Sequence, residues 1–180
     1  SFTHIGEGFC VFNDIAIASN YLLHHGIAQK ILVVDLDVHQ GNGTAQIFQH
    51  DDRVFTFSMH GEKNYPHRKV PSNLDIGLPD KTEDGPYLKA LREALPRLID
   101  EVQPDQVFYL SGVDVIYSDK LGRLSLSLQG CRERDEFVLK TCKASNLPVA
   151  ISMGGGYSER LAHIVEAHAN TFRVAEEVYF

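Results

Sequence analysis

Cysteine is scarce: the 180 residues hold three, Cys10, Cys131 and Cys142, with no C-x-x-C among them. An odd count without paired spacing argues against a disulfide scaffold. It fits a reduced, cytosolic protein in which all three act as small buried apolar side chains. Long apolar runs are missing too. None approaches the roughly 18 residues a membrane span needs, and the opening "SFTHIGEGFC" has no signal-peptide pattern. Basic charge is not concentrated anywhere, and the net charge of −7 excludes a broad phosphate-backbone footprint, so no nucleic-acid partner is expected. Repeats, low-complexity stretches and linkers are lacking, which leaves residues 1–180 as one domain. With 43% apolar and 23% charged residues, the chain has the balance of an ordinary globular protein with a substantial core.

What is present is an alternation. Asn13 caps a helix through "IAIASNYLLHH" that Gly26 stops. "KILVVDLD" (30–37) reads as a strand covered on both faces, as in a parallel sheet. "TAQIFQH" is a short helix, and "RVFTFSMH" (53–60) the next strand. Residues 61–86 are rich in Pro, Asp and Lys with little periodicity, and read as a long loop. An amphipathic helix follows over 87–103, kinked or broken near Pro96. "QVFYLSG" (106–112) is a strand, "DEFVLKTCKAS" (135–145) lies on a helix, "LPVAISM" (147–153) is a strand, and a last helix surrounds "RLAHIVEAHANTFRVAEEV". Such alternation predicts an α/β fold with a mostly parallel central sheet between helices.

The carboxyl ends of these strands carry the unusual residues. They are Asp35, Asp37 and His39, then Ser58 and His60, then Asp114 after "LSGV", then "GGGY" with Tyr157. Ligands in open α/β sheets bind outside the carboxyl ends of strands. Asp37 and His39 share a strand face, and with Asp114 they make one imidazole and two carboxylates, leaving a coordination position open. That donor set suits a catalytic zinc rather than a closed structural one. Zinc there would lower the pKa of a bound water towards about 7 and polarise a carbonyl. Asp35, on the same face but deeper, is placed to orient a neighbour.

Plainer readings compete. A D-x-D after an apolar strand also serves as a capped strand end, and it resembles the Mg²⁺-dependent haloacid-dehalogenase-like phosphotransferases. There, however, a Thr or Ser stands near the second Asp where this chain has His39, a poor Mg²⁺ ligand and a good zinc ligand. His24 and His25 read as a favourable cationic end to a surface helix. His4, His50, His67, His163 and His168 have no partner pattern. "ERDE" (132–135) reads as a solvated helix face.

Four ordered motifs carry a resemblance: "GFCVFND" (8–14), "DLDVHQGNGT" (35–44), "SGVD" with "SDKLG" (111–122), and "GGGY" (154–157). Together they resemble the histone deacetylase family of the arginase/deacetylase fold, in forms closer to class IV-like and class II-like members, bacterial ones included, than to class I. Arginases have a different ligand pattern suited to two Mn²⁺ ions, so one zinc is implied. The resemblance implies that Asp37, His39 and Asp114 bind that zinc and that Tyr157 donates its hydroxyl to the scissile carbonyl. It implies a narrow acyl-lysine tunnel lined by Gly8, Phe9, Leu121 and Gly156, with Tyr65 on the opposite wall. It also implies a structural K⁺ held at Asp35, Asp37, His39, Ser58 and Met59.

One departure concerns the proton-moving groups. The family carries a tandem His-His just ahead of the segment matching "GEGFC", and this chain begins at Ser1, after that place. Asp35 and Asn42 would orient those imidazoles. The chain therefore reads as the larger, C-terminal part of a deacetylase domain. The function expected of the complete protein is hydrolysis of acyl groups from lysine or a related amine. The 180 residues alone are expected to bind zinc but to deacylate poorly or not at all, or to serve as a non-catalytic acyl-lysine-binding module.

Overall fold

The computed structural model describes all 180 residues. In order they form α1 (Asp14–His24), β1 (Ile31–Asp35), α2 (Asn42–Phe48), β2 (Val54–Gly61), β3 (Leu74–Leu78), α3 (Asp84–Val102), β4 (Gln106–Gly112), α4 (Leu128–Ala144), β5 (Val149–Gly154) and α5 (Leu161–Tyr179). The five strands make one sheet in the order β3-β2-β1-β4-β5, and every pairing is parallel. None of the helices is long and apolar enough to cross a membrane.

β1 shows why its sequence is unbrokenly apolar. Leu32 and Val34 enter a large cluster with side chains of α3, α4 and α5. Ile31 and Val33 point the other way, into a smaller cluster with Ile15 and Ala16 of α1 and Phe48 of α2. Alternation along the strand thus fills both faces, and three layers result. Asn13 caps α1 as expected, its side chain accepting a 3.0 Å hydrogen bond from the Ala16 amide.

The chain adds β2 and then β3 on one side of β1, and then places β4 and β5 on the other. The winding reverses between β1 and β4. A crevice opens at such a switch point, outside the carboxyl ends of the strands. Asp35 ends β1 there, Asp37 and His39 follow it, and Asp114 follows β4.

Four expectations are corrected. The stretch 61–86 contains β3, a short edge strand whose Asp75 and Gly77 hid it; it pairs with Phe57–Gly61. α3 is not broken at Pro96, because Leu91, Leu95, Leu98 and Ile99 lie buried on either side of it and outweigh the missing amide. "ERDE" is not a solvated face: Arg134 and Asp135 are both 0% exposed. Cys131 and Cys142 are buried as expected, whereas Cys10 is exposed.

Candidate metal centre

Donor atoms of Asp37, His39 and Asp114 all lie within 4.8 Å of one another. His39 Nδ1 sits 2.9 Å from Asp37 Oδ1 and 3.1 Å from Asp114 Oδ2. The remaining carboxylate contacts are to backbone. Val38 N donates to Asp114 Oδ1 at 2.9 Å, and His39 N to Asp37 Oδ1 at 2.8 Å. Each acid is therefore held by an amide of the loop after β1 while another oxygen, or the same one, faces the imidazole.

Two carboxylates and one imidazole pressed together perturb one another. Burial lowers the affinity of His39 for a proton, but the hydrogen bonds it donates to Asp114 and Asp37 and their charges outweigh it and push its pKa up to about 10. Burial, then the charge of Asp37, raises Asp114 to about 6 against the opposing hydrogen bond of His39. Two acids competing for one cation at a sheet switch point are what a divalent metal relieves, and the N/O/O donor set fits zinc.

Glycines bring the backbone against these acids. Gly155 has φ +60°, a region where L side chains are strained, and a Cβ on it would overlap the Asp114 carboxyl group. A Cβ on Gly112 would lie 2.8 Å from Asp37 Oδ2.

Asp35 is 6% exposed and lies under the loop, accepting a 3.1 Å hydrogen bond from the Asp37 amide. Its pKa is raised well above the usual carboxylate range, first by burial and then by the charge of Asp37. Asn42 Oδ1 accepts from Gly43 N at 2.9 Å, and Asn42 Nδ2 donates weakly to Glu7 Oε1 at 3.5 Å. Ser58 pairs in register with Asp35, and Gly61 N donates to Val38 O at 2.9 Å, so residues 35–39 and 58–61 run side by side. Ser58 Oγ is 3.0 Å from His60 Nδ1. Met59 is fully buried.

The residues expected to line a tunnel gather at the rim. The Phe9 and Tyr157 rings have centroids 5.7 Å apart. Phe9 follows Gly8, and both have φ +63°. The Tyr65 hydroxyl donates to Glu7. A Cβ on Gly156 would press on Ile164 and Val113. Leu121 N and Gly122 N each donate to Asp119 Oδ1 at 2.8 Å, and Tyr157 N donates to Asp119 Oδ2 at 2.6 Å. His24 and His25 sit at the far end of α1 and are exposed.

The sequence reading missed Asp119 and Arg134. Asp119 stands inside the "SDKLG" motif, but nothing in its own spacing assigned it a role. Arg134 had one: Cys131, Arg134, Asp135, Val138, Leu139 and Cys142 fall on one helical stripe, and all are buried.

The histone deacetylase domain matches residues 2–172. The chain belongs to the histone deacetylase family. That sets the phosphotransferase alternative aside. Among its relatives, an uncharacterised protein of Picosynechococcus is 48% identical, with the alignment covering 99% of this chain and 60% of that protein. Histone deacetylase 2 of Arabidopsis thaliana is 31% identical, covering 89% and 42%. The acetoin utilization protein AcuC of Staphylococcus aureus is also 31% identical, covering 84% and 42%. The crystal structure of the HDA15 HD domain superposes with a TM-score of 0.80 at 25% identity, over 95% of this chain and 52% of that one. Acetylpolyamine aminohydrolase of Burkholderia pseudomallei, at 23% identity, shares the fold with the same TM-score. The chain thus spans about 42–60% of the length of these curated relatives.

Proposed function

We propose that the intact protein is a zinc-dependent amidohydrolase that removes an acyl group, such as acetyl, from the ε-amine of lysine or a related amine. One observation carries this: the imidazole of His39 and a carboxylate oxygen from each of Asp37 and Asp114 converge at the switch point of a parallel sheet. Membership in the histone deacetylase family supports the reaction class.

Asp37, His39 and Asp114 would hold the metal, which when bound supplies a Lewis acid for the amide carbonyl and lowers the pKa of water to about 7. Asp35 keeps the Asp37 backbone in place. Tyr157 keeps its hydroxyl proton, because burial and then the charges of Asp114 and Asp37 raise its pKa. It donates that hydrogen bond to the carbonyl oxygen as negative charge develops there, an oxyanion-hole role. Phe9, Gly8, Leu121, Gly156 and Tyr65 flank the acyl-lysine stem. Asp35 and Asn42 are assigned to orient imidazoles that move protons in the intact protein. The backbone at Asp35, Asp37 and His39, with Ser58 and Met59, is assigned to a structural K⁺; the pairing of Asp35 with Ser58 supports it.

Within these 180 residues the one adjacent histidine pair lies at the end of α1. Losing a general base slows turnover by about 10²- to 10⁴-fold, so this stretch alone should bind zinc and turn over slowly. The test is hydrolysis of an acetyl-lysine peptide by the intact protein and by residues 1–180, with zinc measured in both. Fast turnover by the intact protein, lost in Tyr157→Phe with zinc retained, supports the reading. Zinc with no hydrolysis of any acyl-lysine or acylated amine would reject it in favour of a binding module.

A further inference from the structure

We propose that Arg134 is a positioning residue that sets the separation of the two acid-bearing strand ends, and thereby the metal affinity of the Asp37–His39–Asp114 site. The proposal rests on the metal-site reading above and adds a residue of α4 to it.

Arg134 is completely buried, as is its neighbour Asp135. Its Nε donates to Asp135 Oδ1 at 2.9 Å, and Nη2 lies 2.8 Å from the same oxygen. That contact uses a single oxygen and engages one edge of the guanidinium. From the other edge Nη1 extends to the sheet and donates to two backbone carbonyls, Gly112 O at 2.6 Å and Leu36 O at 3.2 Å.

Those two carbonyls define the role. Leu36 O belongs to the peptide that leads into Asp37, and Gly112 lies two residues before Asp114. The β1–β4 register runs as far as Asp35 and Leu110. Arg134 therefore bridges the two strands just beyond their last paired residues, where each departs to present its acid. Gly112 packs close against Asp37: a Cβ on it would lie 2.8 Å from both Cβ and Oδ2 of that residue. A shift at Gly112 passes directly to a metal ligand.

The guanidinium is itself fixed. Asp135 accepts from the Tyr109 hydroxyl of β4 at 2.5 Å and from Thr171 Oγ1 of α5 at 2.7 Å. A planar fork held on one edge by a carboxylate and on the other by two carbonyls has one orientation. The ammonium of lysine, a point charge on a flexible stem, lacks that geometry.

The experiment uses the intact protein, with zinc affinity measured by chelator competition and Co²⁺ substituted to read the ligand field from its visible spectrum. The variants are Arg134→Lys and the charge-neutral pair R134M/D135N, in which the amide oxygen can still accept from the Tyr109 hydroxyl and the amide nitrogen can donate to the Thr171 hydroxyl. Replacing a buried ion pair as a unit often leaves the fold intact. Supporting the proposal, the neutral pair unfolds cooperatively without metal but binds zinc about 10- to 100-fold more weakly, as when groups supporting a ligand are lost. Its Co²⁺ band is then altered, and Arg134→Lys falls between it and the parent. Unchanged zinc affinity and an unchanged Co²⁺ spectrum in the neutral pair would overturn the proposal. So would failure of both variants to fold, which assigns Arg134 to the fold alone. A parent protein that binds no zinc would instead defeat the metal-site reading itself.

Discussion

The amide of Val38 donates a 2.9 Å hydrogen bond to Oδ1 of Asp114, across 76 positions of sequence. That bond ties the loop after β1 to the loop after β4, and it leaves Asp114 Oδ2 facing His39 Nδ1. Asp114→Asn in the intact protein should therefore abolish stoichiometric zinc binding, and Asp37→Asn and His39→Ala should do likewise. Elemental analysis after dialysis measures it, and full zinc retention in any of the three would remove that residue from the ligand set.

Protons compete with the metal for these groups. With His39 at about 10, the metal-free site holds an imidazolium at neutral pH, and zinc must displace its proton. Affinity should rise about tenfold per pH unit between roughly pH 7 and pH 9, since ligands bind metal deprotonated. Below about 6, where Asp114 also takes up a proton, the dependence should steepen. Chelator competition across this range reads the slope; a flat profile would contradict the arrangement.

Gly155 packs on the Asp114 carboxyl group with φ +60°. Gly155→Ala should lose about 1–2 kcal/mol from the backbone conformation alone, with further loss from the overlap, and zinc affinity should fall. Thermal unfolding with and without zinc separates the two effects. A parental melting temperature would refute the close packing.

Asp119 gathers the amides of Leu121, Gly122 and Tyr157 and makes no hydrogen bond to Asp37, His39 or Asp114. Asp119→Ala should leave zinc content unchanged and reduce kcat about 10- to 100-fold, the penalty of a misplaced catalytic group. Steady-state kinetics with matched zinc analysis checks this; loss of zinc in parallel would mean that Asp119 supports the whole rim.

Much of this was legible because the sheet is covered on both faces. "ILVV" fills two clusters at once, so a run of apolar residues ending in acids marks a strand and its rim together. The convergence of Asp37, His39 and Asp114 followed from alternation after β1 and from the place of Asp114 after β4. β3 escaped notice because an edge strand buried on few positions, "LDIGL", carries no unbroken apolar signal. Arg134 and Asp135 read as solvated because their charge points to the surface while their period points to the core. On the stripe from Cys131 to Cys142 they occupy inward positions, and only the long-range partners Tyr109, Thr171, Leu36 and Gly112 make that tolerable.

Zinc stoichiometry of the intact protein tests the central claim most directly. One zinc per chain is expected, lost on substitution of Asp37, His39 or Asp114 and regained on adding metal to the stripped parent. A protein that takes up no zinc after metal addition, or that keeps its zinc with all three residues substituted, would contradict it.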